Sequence, residues 1–239
     1  MMPPVVILAG GPATRLYPVT RHIPKAMLEV AGKPFIGHQL ELLKERGITK
    51  IVICAGYLGE QIKHFVKDGA DFGLSVNYSF DGARLLGTGG ALRKALPLLD
   101  DVFFVMYGDS YLTTDFGPIV EYFFSHKKKG LMTIFRNQNN WDRSNIVYEN
   151  GEIIRYDKKN TTENMDYIDY GLTLLRKTSL VDTEDDKAWD LADLYKELVN
   201  KREMLGYEVA QRFYEIGSFR GLEETRNYLE ELTAQGKKE

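Results

Sequence analysis

The chain has 239 residues, of which 44% are hydrophobic and 27% charged, and its formal net charge is -3. A chain of this size can bury a substantial core without disulfides, and its weak negative charge argues against general binding to nucleic acids or membrane surfaces. The single cysteine, Cys54, lies in an apolar run, which predicts a packing role in a reducing compartment. The apolar run Val5–Ala9 is too short for a signal sequence or a membrane span. We therefore expect a cytoplasmic protein.

Short β-branched runs alternate with helical patterns through the first half of the chain. This alternation predicts parallel strands joined by crossover helices. The predicted strands cover residues 5–8, 51–53, 75–78 and 102–106, and the predicted helices cover residues 36–45, 58–66, 89–96 and 116–126.

After residue 130 the pattern changes to strand-like pieces separated by polar turns. The predicted strands cover residues 131–135, 145–149, 152–156 and 167–175, and helices are predicted over 188–201 and 222–232. Asn150-Gly151 predicts a hairpin between two of these strands. We expect an α/β fold with a Rossmann-like, mainly parallel sheet flanked by helices, and a mixed or antiparallel extension of that sheet. It would form a single domain over residues 1–239, with a core over 1–130 and an extension with closing helices over 131–239.

A glycine-rich stretch directly follows the first predicted strand. It runs Leu8-Ala9-Gly10-Gly11-Pro12-Ala13-Thr14-Arg15-Leu16-Tyr17-Pro18, and Pro24-Lys25 follows shortly after. Two glycines at a strand end let the backbone approach a ligand and turn N–H groups toward phosphate oxygens, with which Arg15 can also pair. A Gly-Gly pair taken alone also fits an ordinary tight turn. The spacing matches neither a P-loop nor the full dinucleotide fingerprint.

Two further segments also indicate ligand binding. Gly87-Thr88-Gly89-Gly90 precedes a predicted helix, where it can expose backbone groups to a base or a phosphate, or simply give a flexible helix entry. Asp109 follows a buried strand, and open α/β sheets place their ligands at the carboxyl ends of parallel strands. This position makes Asp109 a candidate metal ligand, with a loop or capping role as the alternative.

Together these segments resemble the signature of the sugar-1-phosphate nucleotidyltransferases, Leu-Ala-Gly-Gly-x-Gly-Thr-Arg-Leu-x-Pro followed by Pro-Lys. The resemblance continues through residues 30–36, 86–91 and 108–110. It leans toward short bacterial enzymes that activate heptose, mannose or N-acetylmuramic acid phosphates. The resemblance implies a GT-A-like fold, transfer of a nucleotidyl group from an NTP to a sugar 1-phosphate with release of pyrophosphate, and Mg²⁺ as cofactor. The segment 131–239 would then bind the sugar.

The resemblance also assigns roles to individual residues. It assigns nucleotide binding to Leu8, Ala9, Gly10, Gly11, Thr14, Arg15, Gly87 and Thr88, catalysis to Arg15, Lys25 and Asp109, and Mg²⁺ binding to Asp109 and Glu215. It assigns sugar phosphate binding to Asn145, Asp157, Lys158, Asp169 and Gly171. Several positions depart from the family pattern: Ala13 replaces glycine, Glu215 replaces aspartate, and Asn145, Asp157 and Asp169 replace Gly, Glu and Asn. The last three fall in the sugar region and suggest an unusual sugar.

Two other functions stay open at this point. One is a cytidylyl-type transferase that acts on phosphocholine or a polyol phosphate. An aromatic pocket would favour choline, whereas Asp157-Lys158 favours a sugar. The other is a catalytically idle nucleotide-sensing or scaffold subunit, which the departures at Ala13 and Glu215 leave open. The expected partners are an NTP and a sugar 1-phosphate, with no nucleic acid or membrane, and a homo-oligomer is left open.

Overall fold

A nine-stranded mixed sheet runs through the centre of the protein. The computed structural model describes residues 2–181, 183 and 187–236. In these residues the strands are, in chain order, β1 (Val5–Ala9), β2 (Glu29–Val30), β3 (Lys33–Pro34), β4 (Lys50–Ala55), β5 (Ser75–Phe80), β6 (Val102–Tyr107), β7 (Ser110–Leu112), β8 (Gly130–Arg136), β9 (Ile146–Glu149), β10 (Glu152–Tyr156), β11 (Tyr167–Arg176), β12 (Met204–Val209) and β13 (Phe213–Glu215).

Helices cover both faces of the sheet. In the same described ranges the α-helices are α1 (Phe35–Glu45), α2 (Gly59–Val66), α3 (Gly87–Ala95), α4 (Gly117–Ser125), α5 (Leu191–Asn200) and α6 (Phe219–Gly236). Among these helices, none has the length and apolar character that a membrane crossing needs.

The sheet combines a parallel half and an antiparallel half. β1 is parallel to both β4 and β6, and β5 is parallel to β4. β11 is antiparallel to β6 and β8, and β12 is parallel to β8. β9 and β10 form the predicted hairpin, with Asn150 (φ 51°) and Gly151 (φ 84°) in its turn. This topology confirms the predicted α/β class and the antiparallel extension.

Side chains of β1 enter two separate hydrophobic clusters. Val5 and Ile7 pack with side chains of α1, α2 and α4, whereas Val6 and Leu8 pack with those of α3 and α5. A strand buried on both faces reads as a continuous apolar run, and this explains why residues 5–8 predict a parallel strand. A third cluster lies beneath α6 and includes Leu16, next to the glycine-rich loop.

A small second sheet joins the regions of Asp109 and Glu215. β7 pairs antiparallel with β13, with Ser110 opposite Glu215. The sequence predicts that strand-like runs over 102–107 and 212–214 bring both acids to one edge of a sheet. The structure joins them instead through this separate two-stranded sheet, because β13 continues the chain past the end of β12 and meets β7.

The glycines at the start of α3 pack against the segment 187–190. A β-carbon on Gly89 would overlap the ring of Trp189, and one on Gly87 would lie 2.5 Å from the Trp189 carbonyl oxygen. Trp189 N–H donates to the Leu86 carbonyl, and Gly89 N–H donates to the Trp189 carbonyl, both at 3.0 Å. Gly89 therefore permits close packing with Trp189, a role different from both the ligand contact and the flexible helix entry that the sequence left open.

Gly89→Ala should lower the free energy of unfolding by about 1–3 kcal/mol, the usual cost of overpacking, although alanine normally favours a helix. Urea denaturation of the purified variant measures this change. Gly37→Ala in α1 is the matched control, because a β-carbon there would make ordinary contacts at 3.6 Å. We expect the control to be neutral or stabilising. Equal midpoints for the two variants would show that Trp189 places no constraint on Gly89.

Candidate active site

The loop after β1 packs closely on the loop that follows β4. A β-carbon on Gly10 would lie 3.2 Å from the Gly56 nitrogen, and the Gly10 carbonyl accepts a hydrogen bond of 3.0 Å from Tyr57 N–H. Within the described part of the chain, nothing lies within 4 Å of a β-carbon position on Gly11. Gly10 thus allows close backbone packing, while Gly11 leaves open space beside the strand end.

Ala13 takes a left-handed backbone conformation, with φ 51° and ψ 45°. This conformation costs a residue with a β-carbon about 1–2 kcal/mol. The Ala13 carbonyl accepts hydrogen bonds from Leu16 N–H (3.1 Å) and the Thr20 hydroxyl (2.9 Å), which hold the turn. Alanine therefore keeps a geometry that glycine adopts easily, and the 3-10 helix Thr14–Leu16 that follows carries the exposed Arg15.

A slot of about 170 Å³ opens between this loop and the start of α3. Most of the residues that the sequence assigns to the nucleotide line it: Leu8, Gly10, Gly11, Gly87 and Thr88.

Ala9 lies outside the lining of this slot. It packs against Gly108, whose β-carbon position is 2.9 Å from Ala9 Cβ. The Thr88 hydroxyl is also engaged by protein groups, since it donates to Asp190 (3.1 Å) and accepts from Leu191 N–H (2.8 Å) at the start of α5. The structure thus gives these two residues packing and capping contacts.

Asp81 is a residue of the slot that the sequence analysis missed. It is buried directly after β5, and its Oδ2 accepts a hydrogen bond of 3.1 Å from Leu86 N–H. Burial raises the pKa of Asp81, while the Leu86 N–H and the charge of Lys94 partly offset this. The available signal was an acid at the carboxyl end of a predicted parallel strand, the same signal that singled out Asp109.

A larger cavity of about 490 Å³ lies beyond Arg15. It brings together residues that the sequence assigns to three different tasks. Its lining includes Arg15, Asp109, Asn145, Lys158, Asp169, Gly171 and Glu215.

Charged side chains from separate segments of the chain meet near Gly217, next to residues that line this cavity. Lys25 Nζ lies 2.6 Å from Asp109 Oδ2, and both side chains are about four-fifths buried. The position of a β-carbon on Gly217 is 2.7 Å from Glu215 Oε2, 3.2 Å from Asp109 Oδ2 and 3.5 Å from Arg15 Nη2. Glycine at 217 therefore leaves room for two carboxylates and the Arg15 guanidinium around one backbone position, and Lys25 pairs with one of those carboxylates.

Asp109 and Glu215 fit the donor set of a hard divalent cation. Each supplies carboxylate oxygens, and the described residues contain no cluster of three or more Asp, Glu, His or Cys side chains that could hold a metal alone. Mg²⁺ is commonly held by one or two carboxylates together with substrate phosphates and water. Two protein carboxylates facing a cavity are consistent with that pattern.

Lys158 and Asp169 form a second ion pair in the lining of this cavity. Lys158 Nζ lies 3.4 Å from Asp169 Oδ2 and donates to the Tyr107 hydroxyl at 3.2 Å. Asp169 N–H donates to Asn145 Oδ1, and Gly171 N–H donates to Asp169 Oδ1, both at 3.0 Å. Burial opposes the charge of Lys158, but its interactions with Tyr107, Asp169 and Tyr156 together outweigh burial and raise the lysine pKa.

Asp157 is placed differently from the other residues assigned to the sugar phosphate. Its carboxylate accepts hydrogen bonds from Lys196 Nζ (2.8 Å), Lys159 N–H (3.0 Å) and Asn160 N–H (2.9 Å), and it is absent from the lining of the larger cavity. The bond from Lys196, followed by those from the backbone, lowers the pKa of Asp157. The structure therefore gives this acid contacts with α5 and its own turn.

Aromatic side chains complete the walls of the larger cavity. Tyr107, Trp141, Tyr170 and Phe213 all line it. Two of their rings already contact cations of the protein, because the Arg212 guanidinium lies 4.5 Å from the Trp141 centroid and Lys158 Nζ lies 5.0 Å from that of Tyr107. A lone aromatic residue gives no sequence signal for such a role.

The sequence is similar to those of known proteins. The chain is 35% identical over 136 residues to the UTP–glucose-1-phosphate uridylyltransferase of Synechocystis sp., a match that covers 52% of this chain and 34% of that protein. It is 44% identical over 112 residues to the N-acetylmuramate alpha-1-phosphate uridylyltransferase of Neisseria meningitidis serogroup B, covering 46% of this chain and 48% of that one. The matches thus span less than half of each of these two relatives.

The fold is similar to that of solved structures. The crystal structure of HddC from Yersinia pseudotuberculosis complexed with GMP-PN aligns with a TM-score of 0.79 and 24% identity, covering 95% of this chain and 100% of that one. The sequence also matches the family described as Nucleotidyl transferase over residues 4–231, which is nearly its whole length. The chain therefore belongs to the Nucleotidyl transferase family, as the resemblance of its motifs implied.

Proposed function

We propose that the chain transfers a nucleotidyl group from an NTP to a sugar 1-phosphate, giving an NDP-sugar and pyrophosphate. The observation that carries this proposal is one cavity that joins Arg15, Asp109 and Glu215 with Lys158 and Asp169. Cations and carboxylates that line one cavity suit a reaction between two polyanions. The names of the relatives and the GMP-PN complex of HddC support the same chemistry.

In this reaction a phosphate oxygen of the sugar 1-phosphate bonds to the α-phosphorus of the NTP. The bond from the α-phosphorus to its bridging oxygen breaks, and pyrophosphate leaves with that oxygen. Arg15 and Lys25 would pair with phosphate oxygens near the reacting centre, and Lys158 would hold the phosphate of the acceptor. The protein supplies orientation and charge, with no covalent intermediate.

The proposed cofactor is Mg²⁺, held by Asp109 and Glu215. When bound, the ion would neutralise negative charge on the phosphates. Lys25, which pairs with Asp109 at 2.6 Å, would keep the carboxylate oriented toward Gly217.

The two alternative functions are less well supported by the cavity. Choline needs free aromatic faces, and two of the four rings that line the cavity, those of Trp141 and Tyr107, already contact Arg212 and Lys158. A catalytically idle subunit would not need an ion pair between Lys25 and Asp109 close to the second acid, Glu215.

A pyrophosphate-release assay tests the proposal. The assay combines each of the four NTPs with a panel of sugar 1-phosphates, and with phosphocholine and a polyol phosphate as comparison acceptors. We expect release with at least one NTP and a sugar 1-phosphate. Release only with phosphocholine or the polyol phosphate would favour the second enzyme function, and no release with any pair would favour a nucleotide-sensing subunit.

Asp109→Asn and Glu215→Gln should each lower turnover about a hundredfold or more. Each substitution removes a metal ligand and with it several kcal/mol of charge stabilisation, and about 1.4 kcal/mol corresponds to a tenfold change in rate. Since both acids would hold one ion, the double variant should cost little beyond the worse single variant. Turnover at limiting and saturating Mg²⁺ measures this. Glu223→Gln, an exposed acid on α6, is the control and should keep full turnover. Additive losses, or activity that survives chelation, would exclude a shared ion.

Asp169→Asn should change the ranking among sugar 1-phosphates about tenfold or more, while NTP affinity changes little. A buried carboxylate only accepts hydrogen bonds, whereas an amide also donates, and mispaired polar groups discriminate strongly between substrates. Measuring kcat/KM for each sugar gives the ranking. Asp157→Asn is the matched control and should leave the ranking unchanged, because that acid contacts Lys196. The same ranking in Asp169→Asn as in the unaltered protein would remove Asp169 from sugar recognition.

A further inference from the structure

Glu215 stands just before α6, and both of its carboxylate oxygens are held there. Oε2 accepts a hydrogen bond from Gly217 N–H, and Oε1 accepts one of 2.6 Å from the Ser218 hydroxyl. Ser218 Oγ in turn accepts Gly221 N–H at 3.0 Å, which makes Ser218 the N-cap of the helix. The Thr225 hydroxyl donates to the Glu215 carbonyl at 2.8 Å. The first turns of α6 therefore fix both the backbone and the side chain of Glu215.

Gly221 occupies the third position after this cap, where helices often carry glutamate or glutamine. A β-carbon on Gly221 would overlap Glu215 Oε1 and would lie 2.7 Å from the Glu215 carbonyl oxygen. Gly221 is not among the residues with positive φ, so its backbone conformation does not require glycine. Glycine in a helix costs about 1 kcal/mol relative to alanine. The Glu215 carboxylate and the Glu215 carbonyl together occupy the space that a β-carbon at 221 would need.

We propose that Gly221 is a positioning residue for the metal ligand Glu215, an inference that rests on the proposed function. Glutamate is one methylene longer than the aspartate of the family pattern. The side chain takes up this length by folding back over α6, into the space that Gly221 leaves empty. Its Oε2 thereby reaches Gly217, on which Asp109 Oδ2 and Arg15 Nη2 also converge.

The length of the acid at 215 and the size of the residue at 221 are therefore coupled. Glutamate needs glycine at 221, because any β-carbon there pushes the carboxylate away from its two donors. An aspartate at 215 ends one methylene earlier and leaves the β-carbon position of residue 221 free of carboxylate atoms.

The test compares Gly221→Ala in two backgrounds, the unaltered chain and Glu215→Asp. The readout is the dissociation constant of Mn²⁺ with the NTP that releases most pyrophosphate, measured by titration calorimetry without an acceptor, so that no turnover occurs. With Glu215 present, Gly221→Ala should weaken binding about tenfold or more, the scale seen for residues that orient metal ligands. In the Glu215→Asp background the same substitution should change binding by less than about threefold.

The comparison isolates the carboxylate from other effects. The contact between the new β-carbon at position 221 and the carbonyl of residue 215 is common to both backgrounds, so it cancels in the ratio. Gly117→Ala, also in the first turn of a helix, is the control, because a β-carbon there would lie 3.6 Å from its nearest neighbour. It should leave Mn²⁺ binding unchanged. Equal weakening by Gly221→Ala in both backgrounds would overturn the proposal.

Thermal unfolding of each variant shows whether it is folded. If Gly221→Ala does not fold, Ser218→Ala provides the second comparison, because it removes the 2.6 Å hydrogen bond to Glu215 Oε1. It should weaken Mn²⁺ binding more with Glu215 than with Glu215→Asp, and an equal loss would again overturn the inference.

Glu215→Gln distinguishes failure of the proposed metal site from failure of the role proposed for Gly221. Unchanged Mn²⁺ binding in Glu215→Gln would remove the proposed metal site itself. Lost binding in Glu215→Gln, together with equal effects of Gly221→Ala in both backgrounds, would leave the metal site intact and remove only the role of Gly221.

Discussion

The pairing of β7 with β13 is the constraint on which the candidate site depends. It places Glu215 opposite Ser110, the neighbour of Asp109, so two acids that are distant in sequence come together. Carboxylates brought close together repel one another unless cations offset their charge. Lys25 pairs with Asp109, and Arg15 approaches from the glycine-rich loop. The small sheet thus fixes the positions of Asp109 and Glu215, and the charges of Lys25 and Arg15 offset the repulsion between the two carboxylates.

The parallel half of the sheet was predictable because its strands are buried on both faces and its helices are amphipathic. The predicted helix over 116–126 differs from α4 by only one residue at each end. β12 and β7 were harder to predict, whereas the strand-like run over 212–214 overlaps β13. β12 contains Gly206 and the polar Glu208, and the glycine is needed because a β-carbon there would lie 2.7 Å from the Tyr148 ring. β7 has three residues, too few to show an alternating pattern.

The two acids assigned to the sugar phosphate show what a sequence pattern does not predict. Asp157 and Asp169 both occur in or after strand-like runs, and the resemblance assigned both to the sugar. Of the two, Asp169 lines the cavity, whereas the carboxylate of Asp157 is bound by Lys196 from α5. No spacing in the sequence indicates a contact between a strand end and a helix that lies so much later in the chain. The contacts that distinguish Asp157 from Asp169 form only in the folded protein.

Departures from a family pattern therefore need to be judged together with their neighbours in space. Ala13 keeps the left-handed turn because Leu16 and Thr20 hold its carbonyl. Glu215 keeps its carboxylate beside Gly217 because Gly221 leaves room for the longer side chain. At the sequence level, these two substitutions were the reason to consider an inactive subunit. In the structure each substituted residue is accommodated by its local contacts, so neither substitution by itself indicates a loss of catalysis.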